Sequence, residues 1–336
     1  MAVCINLTSA QKNLIEGIIG DLSSEYNSVE TADFIDACET AVADLPSGLR
    51  SQLRKFRNME LGSAALLISG FEIDHERIGP SPNNWNAPWS QTPYFREEVF
   101  QCLLMSAVGH IFSYRTLEQG RFLRHVTPDH EKMADQVAGS SSVTLEWHTE
   151  EAFHPARGDF QSLMCYRNKE KAETNLAEVG DLDLETEVWE ILRENRFYIR
   201  PDQAHQPGEY SDGSEDEVFN NVVSLIDNPA PRPLVTGPRH CPLLVVDQAF
   251  MQPEHGDAEA SEALKKLLHA LDGANQRIVL KPGQVLLFDN QRAPHGRSAF
   301  TPCWGPEKRW LRVLYGTADL RKSIGYRHDK HSRCVA

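Results

Sequence analysis

From residue 143 onward the sequence breaks into short apolar or alternating runs separated by turn residues, which limits the core to packed β-strands. Residues 143–148 alternate, 161–166 and 243–246 are compact apolar runs, and 277–289 reads as strand, Pro282-Gly283 turn and strand. Residues 309–315 give the final strand. Helical periodicity is confined mainly to the first third. Residues 8–26 carry Leu14, Ile15, Ile18, Ile19 and Leu22 at helical spacing behind Thr8, a natural N-cap. Residues 31–45 form a second helix, and 97–114 read as one long apolar helix. Two more helices fall at 182–195 and 257–272. With no internal repeat and no linker, the economical arrangement is one β core under an N-terminal helical layer.

Composition removes several classes of function. Among 336 residues, 34 Lys and Arg stand against 48 Asp and Glu, a net charge of −14, so no basic surface for nucleic acid is expected. No apolar run reaches the roughly 18 residues of a membrane helix. Residues 1–26 lack the pattern of a signal peptide. Seven scattered cysteines with no CxxC pair fit free thiols in a reducing cytoplasm.

The chemistry concentrates in Leu145-Glu146-Trp147-His148-Thr149-Glu150. On a strand, His148 and Glu150 project to one face, so an imidazole and a carboxylate meet at one point. That is two-thirds of a facial triad for non-haem Fe(II), and a histidine on a facing strand would complete it. His295 fits, in the run Asp289-Asn290-Gln291-Arg292-Ala293-Pro294-His295-Gly296-Arg297 at the end of an apolar strand. Fourteen residues on, Arg309 begins the apolar run Arg309-Trp310-Leu311. A buried arginine there calls for an anion, and a dicarboxylate co-substrate supplies one.

The segments WHTEEAFHPARGDF, DNQRAPHGRSAF and RWL resemble the clavaminate synthase-like Fe(II)/2-oxoglutarate oxygenases. RFYIRPDQAH, residues 196–205, is most similar to the subgroup that hydroxylates free L-arginine in antibiotic biosynthesis, with lysine and asparagine hydroxylases more distant. The resemblance covers roughly residues 97–325. It implies a mainly β fold with helices: a double-stranded β-helix (jelly-roll, cupin-like) core. Residues 1–336 would be a single oxygenase domain. Within it, 1–60 would be a helical extension and 61–325 the core, with inserted helices and a lid loop at about 203–220.

The same resemblance implies Fe(II), 2-oxoglutarate and O2, with His148, Glu150 and His295 as iron ligands. Arg309 would pair with the far carboxylate of 2-oxoglutarate, aided by the hydroxyl of Thr174. Asp247 would hold the substrate head group, and Glu118 or Gln119 the substrate backbone. Asp202, in the 196–205 segment, joins the substrate set. The retained Glu150 speaks against a halogenase.

Three positions depart from the pattern. The arginine hydroxylases resemble one another in an Asp-x-Asp pair, here Asp247-Gln248-Ala249, and in a lid serine, here Ala204. They also carry an arginine for the substrate α-carboxylate where this chain has Val313. Arg312 is adjacent but faces the other way on a regular strand unless a bulge re-aims it. One carboxylate fewer suits a neutral head such as the urea of citrulline. A missing arginine suits a carboxylate masked in a carrier- or peptide-bound amino acid.

The expected partner is therefore a small-molecule amino acid, citrulline slightly ahead of arginine, hydroxylated at Cβ or Cγ. The alternatives are an aminoacyl carrier protein as partner, a desaturation or epoxidation outcome, and an inactive jelly-roll binding protein. His110, His125, His130, His240 and His269 read as packing or surface residues, and His154 as pocket or structural. Trp85, Trp89 and Trp147 read as anchors, and Cys102 and Cys165 as small buried hydrophobes.

Overall fold

The computed structural model describes residues 1–83, 88, 90–202, 205, 224–327 and 329–335. The acidic 205–219 stretch, the lid loop at 203–220, Ala204, Trp85 and Trp89 therefore lie outside the described residues, save His205.

Two sheets organise the chain. The larger has eight strands. Seven run in the order Val3–Asn6, Ala65–Ser69, Val285–Asp289, Phe160–Arg167, Trp310–Thr317, His110–Tyr114 and Cys334–Val335, and Leu123–Val126 also pairs with Trp310–Thr317. The smaller orders Gln276–Ile278, Thr174–Leu176, His295–Arg297 and Leu145–His148. Val3–Asn6 and Cys334–Val335 join their neighbours in parallel, and the other pairs are antiparallel. Phe160–Arg167 is buried along its whole length. Its inward residues Leu163 and Cys165 pack with Leu286, Phe288, Leu311 and Leu176, the last from the smaller sheet.

The helical layer covers the outer face of the larger sheet. Ser9–Glu25 starts at a reciprocal cap: Gln11 N–H donates to Thr8 Oγ1 (3.3 Å), and Thr8 N–H donates to Gln11 Oε1 (2.9 Å). Such caps contribute about 1 kcal/mol. The helix buries Ile15, Ile18, Ile19 and Leu22 in one cluster with Leu103, Met105, Trp310 and Leu314. A helix at Ser47–Arg57, which the sequence reading did not anticipate, completes the layer with Ala32–Ala41.

The long helix expected at 97–114 is two elements, the helix Phe95–Ser106 and the strand His110–Tyr114. Gly109 stands at the break, and a Cβ there would lie 2.9 Å from the Thr317 carbonyl oxygen. Close strand approach thus overrides a continuous apolar run that suits either structure. The two strands of 277–289 enter different sheets, and Cys334–Val335 adds a strand after the one expected to be last. All seven cysteines are free thiols, with Cys38, Cys102 and Cys165 buried.

Candidate metal and substrate site

His148 and His295 are direct partners across the antiparallel pair of Leu145–His148 and His295–Arg297, so the second histidine comes from the adjacent strand of the same sheet. Gly296 makes this approach possible, since a Cβ there would sit 2.5 Å from the Leu145 carbonyl oxygen. The strand ends at His148, so strand alternation does not deliver Glu150. Asn290 does. Glu150 N–H donates to Asn290 Oδ1 (2.8 Å), and Asn290 Nδ2 donates to the carbonyls of Glu150 and Gly158 (both 3.0 Å).

Glu150 Oε2 then lies 3.5 Å from His148 Nε2 and 3.4 Å from His295 Nε2. One ligand atom from each of the three residues falls within 4.8 Å of the others, a cluster that could hold a metal ion. Its donor set, two imidazoles and a carboxylate, is that of a non-haem Fe(II) site. His148 Nδ1 donates to the Glu146 carbonyl (2.8 Å), which leaves Nε2 as the lone-pair nitrogen toward Glu150. Burial lowers the His148 imidazole, but Glu150 more than reverses this and lifts it to about 9. Burial and then His148 push His295 down to about 4. Burial works to raise Glu150, yet the two histidines hold it well below the carboxylate range. The three donor atoms converge on one point, where a divalent cation fits.

Both oxygens of Glu150 are also tied to the larger sheet. Tyr315 O–H donates to Oε1 (2.6 Å), and Gln161 Nε2 donates to Oε2 (3.1 Å). Arg124 Nη1 donates in turn to the Tyr315 oxygen (2.5 Å), and Glu118 Oε1 accepts from Arg124 Nε (3.3 Å). Arg124, Gln161 and Tyr315 escaped the sequence analysis. The one signal was a charged or polar residue inside an apolar strand.

A single cavity is lined by His148, Glu150, His295, Thr174, Asp202, Asp247, Arg124 and Arg309 among others. Arg309 is buried, and among the described residues its Nε has no hydrogen-bond partner. Burial lowers its guanidinium to about 10. That orphaned donor fits a carboxylate ligand. Arg297, also lining the cavity, spends its donors on Ser140 O (2.6 Å), Ser140 Oγ (2.9 Å) and Val143 O (3.1 Å). Asp247 meets His148 in an isolated antiparallel bridge, and its Oδ1 accepts from Phe250 N–H (3.2 Å). Burial lifts Asp247 to about 7, and nearby Asp202 adds to the rise against the pull of His148.

Three expected substrate residues lie elsewhere. Arg312 stays on the far face of its strand despite a register shift between Trp310 and Leu311. It is paired there with Glu98 (2.8 Å) and bonded to His125 and the Leu123 carbonyl. Glu118 and Gln119 do not line the cavity. They sit in a left-handed turn (φ 46° and 60°), with Glu118 turned to Arg124. Of the histidines read as packing or surface groups, His125 is buried against Trp310. His154 is buried and donates nothing to the cavity wall.

The family profile described as "Taurine catabolism dioxygenase TauD, TfdA family" matches residues 185–315. The chain is 32% identical to the L-ornithine/L-arginine 3-hydroxylase of Catenulispora acidiphila over 97% of its own length and 98% of the relative's. It is also 32% identical to the enduracididine beta-hydroxylase of Streptomyces hygroscopicus, over 92% of each chain. Among solved structures it is similar to the non-heme iron oxygenase OrfP in complex with Fe, succinate and (3S)-hydroxy-L-Arg. That likeness has a TM-score of 0.93 and 30% identity, and covers 99% of both chains. OrfP has also been solved with Fe and alpha-ketoglutaric acid.

Proposed function

This chain belongs to the clavaminate synthase-like Fe(II)/2-oxoglutarate-dependent oxygenases, and on that premise we propose that it hydroxylates Cβ or Cγ of a free, arginine-type L-amino acid. One observation carries the reading: the His148, Glu150 and His295 cluster, Arg309 and Asp247 all line one cavity. His148, Glu150 and His295 would hold Fe(II), and Arg309 with Thr174 would take the far carboxylate of 2-oxoglutarate. With O2, the bound Fe(II) and 2-oxoglutarate would supply the oxidant, one oxygen atom going to the substrate C–H bond and the other to succinate, with loss of CO2. The protein binds and orients the substrate and keeps the site dry.

Asp247 takes the substrate head group. The absent carboxylate at Ala249 points to citrulline, but Asp202 lines the same cavity and acts on Asp247. Two carboxylates in one cavity wall favour a cation, so we place arginine ahead of citrulline. We assign residues 1–336 to one oxygenase domain with a double-stranded β-helix core. The two sheets with a shared apolar interior support this, as does Val3–Asn6, which joins the N-terminal region to the larger sheet. A specialised-metabolite pathway is the setting the arginine-hydroxylase relatives suggest.

A carrier-bound substrate is favoured by one observation, Val313 in the cavity wall where an arginine would meet a free carboxylate. The test is anaerobic loading with Fe(II), followed by succinate release and product mass on arginine, citrulline, lysine, ornithine, asparagine and glutamine. A gain of one oxygen on arginine supports the proposal. Succinate release with no modified amino acid would overturn it in favour of a tethered substrate.

A further inference from the structure

Arg124 stands directly across from Val313 in the antiparallel pairing of Leu123–Val126 with Trp310–Thr317. Cross-strand partners share a face of the sheet. Both side chains accordingly line the cavity that holds the metal cluster. A guanidinium is thus delivered from the neighbouring strand to the patch that Val313 leaves without a cation. Resting on the reading that the substrate is an amino acid, we propose that Arg124 binds the α-carboxylate of a free amino acid, in place of an arginine at position 313.

The donor arithmetic supports the assignment. Arg124 is buried, with Nε–H given to Glu118 Oε1 and Nη1 to the Tyr315 oxygen. Among the described residues Nη2 makes no hydrogen bond. A guanidinium has five N–H donors and no acceptor, so the donors left over are open to an acceptor that enters the cavity. A carboxylate does this with charge and with two-point geometry.

The other cavity arginines are otherwise engaged. Arg297 is held by Ser140 and Val143. Arg309 faces the cavity from just before that strand, four residues ahead of Val313, a backbone separation of about 13 Å. The two guanidinia therefore serve two separate anions, the co-substrate at one end and the substrate at the other. Arg312 points to the opposite face. The bond from Arg124 to Tyr315, and from Tyr315 to Glu150, sets the carboxylate anchor at a fixed place relative to the metal cluster. The Glu118 turn acts through Arg124 as a positioning element, and it spends left-handed backbone strain to do so.

The test compares the best-bound amino acid of the panel with its methyl ester, which keeps the head group and cancels the carboxylate charge. It uses the Fe(II)- and 2-oxoglutarate-loaded enzyme as the unaltered chain, as Arg124→Gln, and as Arg124→Gln with Val313→Arg. The unaltered enzyme should prefer the acid over the ester by about 100-fold in kcat/KM, the scale of an uncompensated buried charge. Arg124→Gln should bring that ratio close to one, and adding Val313→Arg should restore at least about tenfold of it. Co(II) absorption spectra of each protein monitor the metal cluster, so a change at Glu150 is read separately from a change at the substrate. Equal acid-to-ester ratios in the unaltered and Arg124→Gln enzymes would overturn the proposal. So would an unaltered enzyme that takes the ester as well as the acid. Calorimetry on the anaerobic Co(II)-loaded enzyme gives the same ratio without turnover. A lack of hydroxylation therefore counts against the preceding proposal alone, and the binding ratio still decides this one.

Discussion

His148 and Asp247 are paired across an isolated antiparallel bridge, flanked by the bonds from Thr149 N–H to Val246 O (2.7 Å) and Gln248 N–H to Trp147 O (2.9 Å). The backbone that carries His148 of the metal cluster is therefore paired with the backbone that carries Asp247, the carboxylate proposed for the head group. Their separation is set by hydrogen bonds between main chains rather than by flexible side chains. If Asp247 grips the substrate head as proposed, the substrate would meet the cluster at a constant reach, which is what selection among neighbouring C–H bonds requires.

Removing the charge at Asp247 should weaken cationic substrates most. Asp247→Asn is expected to lower kcat/KM for arginine by about 10- to 100-fold, the worth of a charged hydrogen bond, and to affect citrulline less. Ala249→Asp should move the arginine-to-citrulline ratio the other way. Competition assays with both substrates read the ratio directly, and a ratio that neither variant moves would place the head group elsewhere.

The metal cluster makes graded predictions. His148→Ala and His295→Ala should abolish turnover and tight Co(II) binding, and full activity in either would sink the triad assignment. Tyr315→Phe keeps all three ligands but frees Glu150 Oε1. Loss of such an outer partner typically costs 10- to 100-fold in metal affinity, so Fe(II) and Co(II) titrations should weaken by about that factor.

Arg309→Lys should raise the KM for 2-oxoglutarate by about 100-fold while leaving Co(II) binding intact. An ammonium cannot reproduce the planar fork, and the site is buried. Initial rates at saturating amino acid measure this, and an unchanged KM would assign the co-substrate carboxylate to another cation.

Glu30 links stability to pH. Its carboxylate accepts from Phe122 N–H (2.6 Å) and Leu123 N–H (3.2 Å), and so holds the start of the strand that carries Arg124. Burial raises it from 4.5 to about 7; Glu98 adds to the rise, and Phe122 N–H, Arg121 and Arg312 oppose it. Between those values the folded chain binds more protons than the unfolded chain, so stability is lost as pH rises through the window. Denaturant titrations of the metal-free protein from pH 4.5 to 7.5 should show a flatter profile for Glu30→Gln than for the unaltered chain. Parallel profiles would show that Glu30 does not titrate across this range.

The legible parts of the site were those written as local chemistry. His148 and Glu150 two residues apart, His295 beside Gly296, and Arg309 leading an apolar run are residue types at odds with their surroundings, and burial makes such exceptions informative. Thr8 marked a helix start because a cap needs only its own next three residues. The helix expected through 97–114 failed because an apolar run does not say which neighbour will cover it. At Gly109 a strand 200 residues away in sequence decides the matter.

Sequence alone determined the reaction class, because the imidazole and carboxylate set, the distant arginine and the segments around them together resemble one oxygenase family. Tertiary structure decided how those groups are aimed. Asn290 rather than strand alternation brings Glu150 in, and Arg312 faces Glu98 instead of the cavity. Asp202 supplies a second carboxylate in the wall around Asp247, and Arg124 sits opposite Val313. The physical reason is that chemical identity belongs to each residue, whereas direction and proximity come from strand register between segments far apart in the chain.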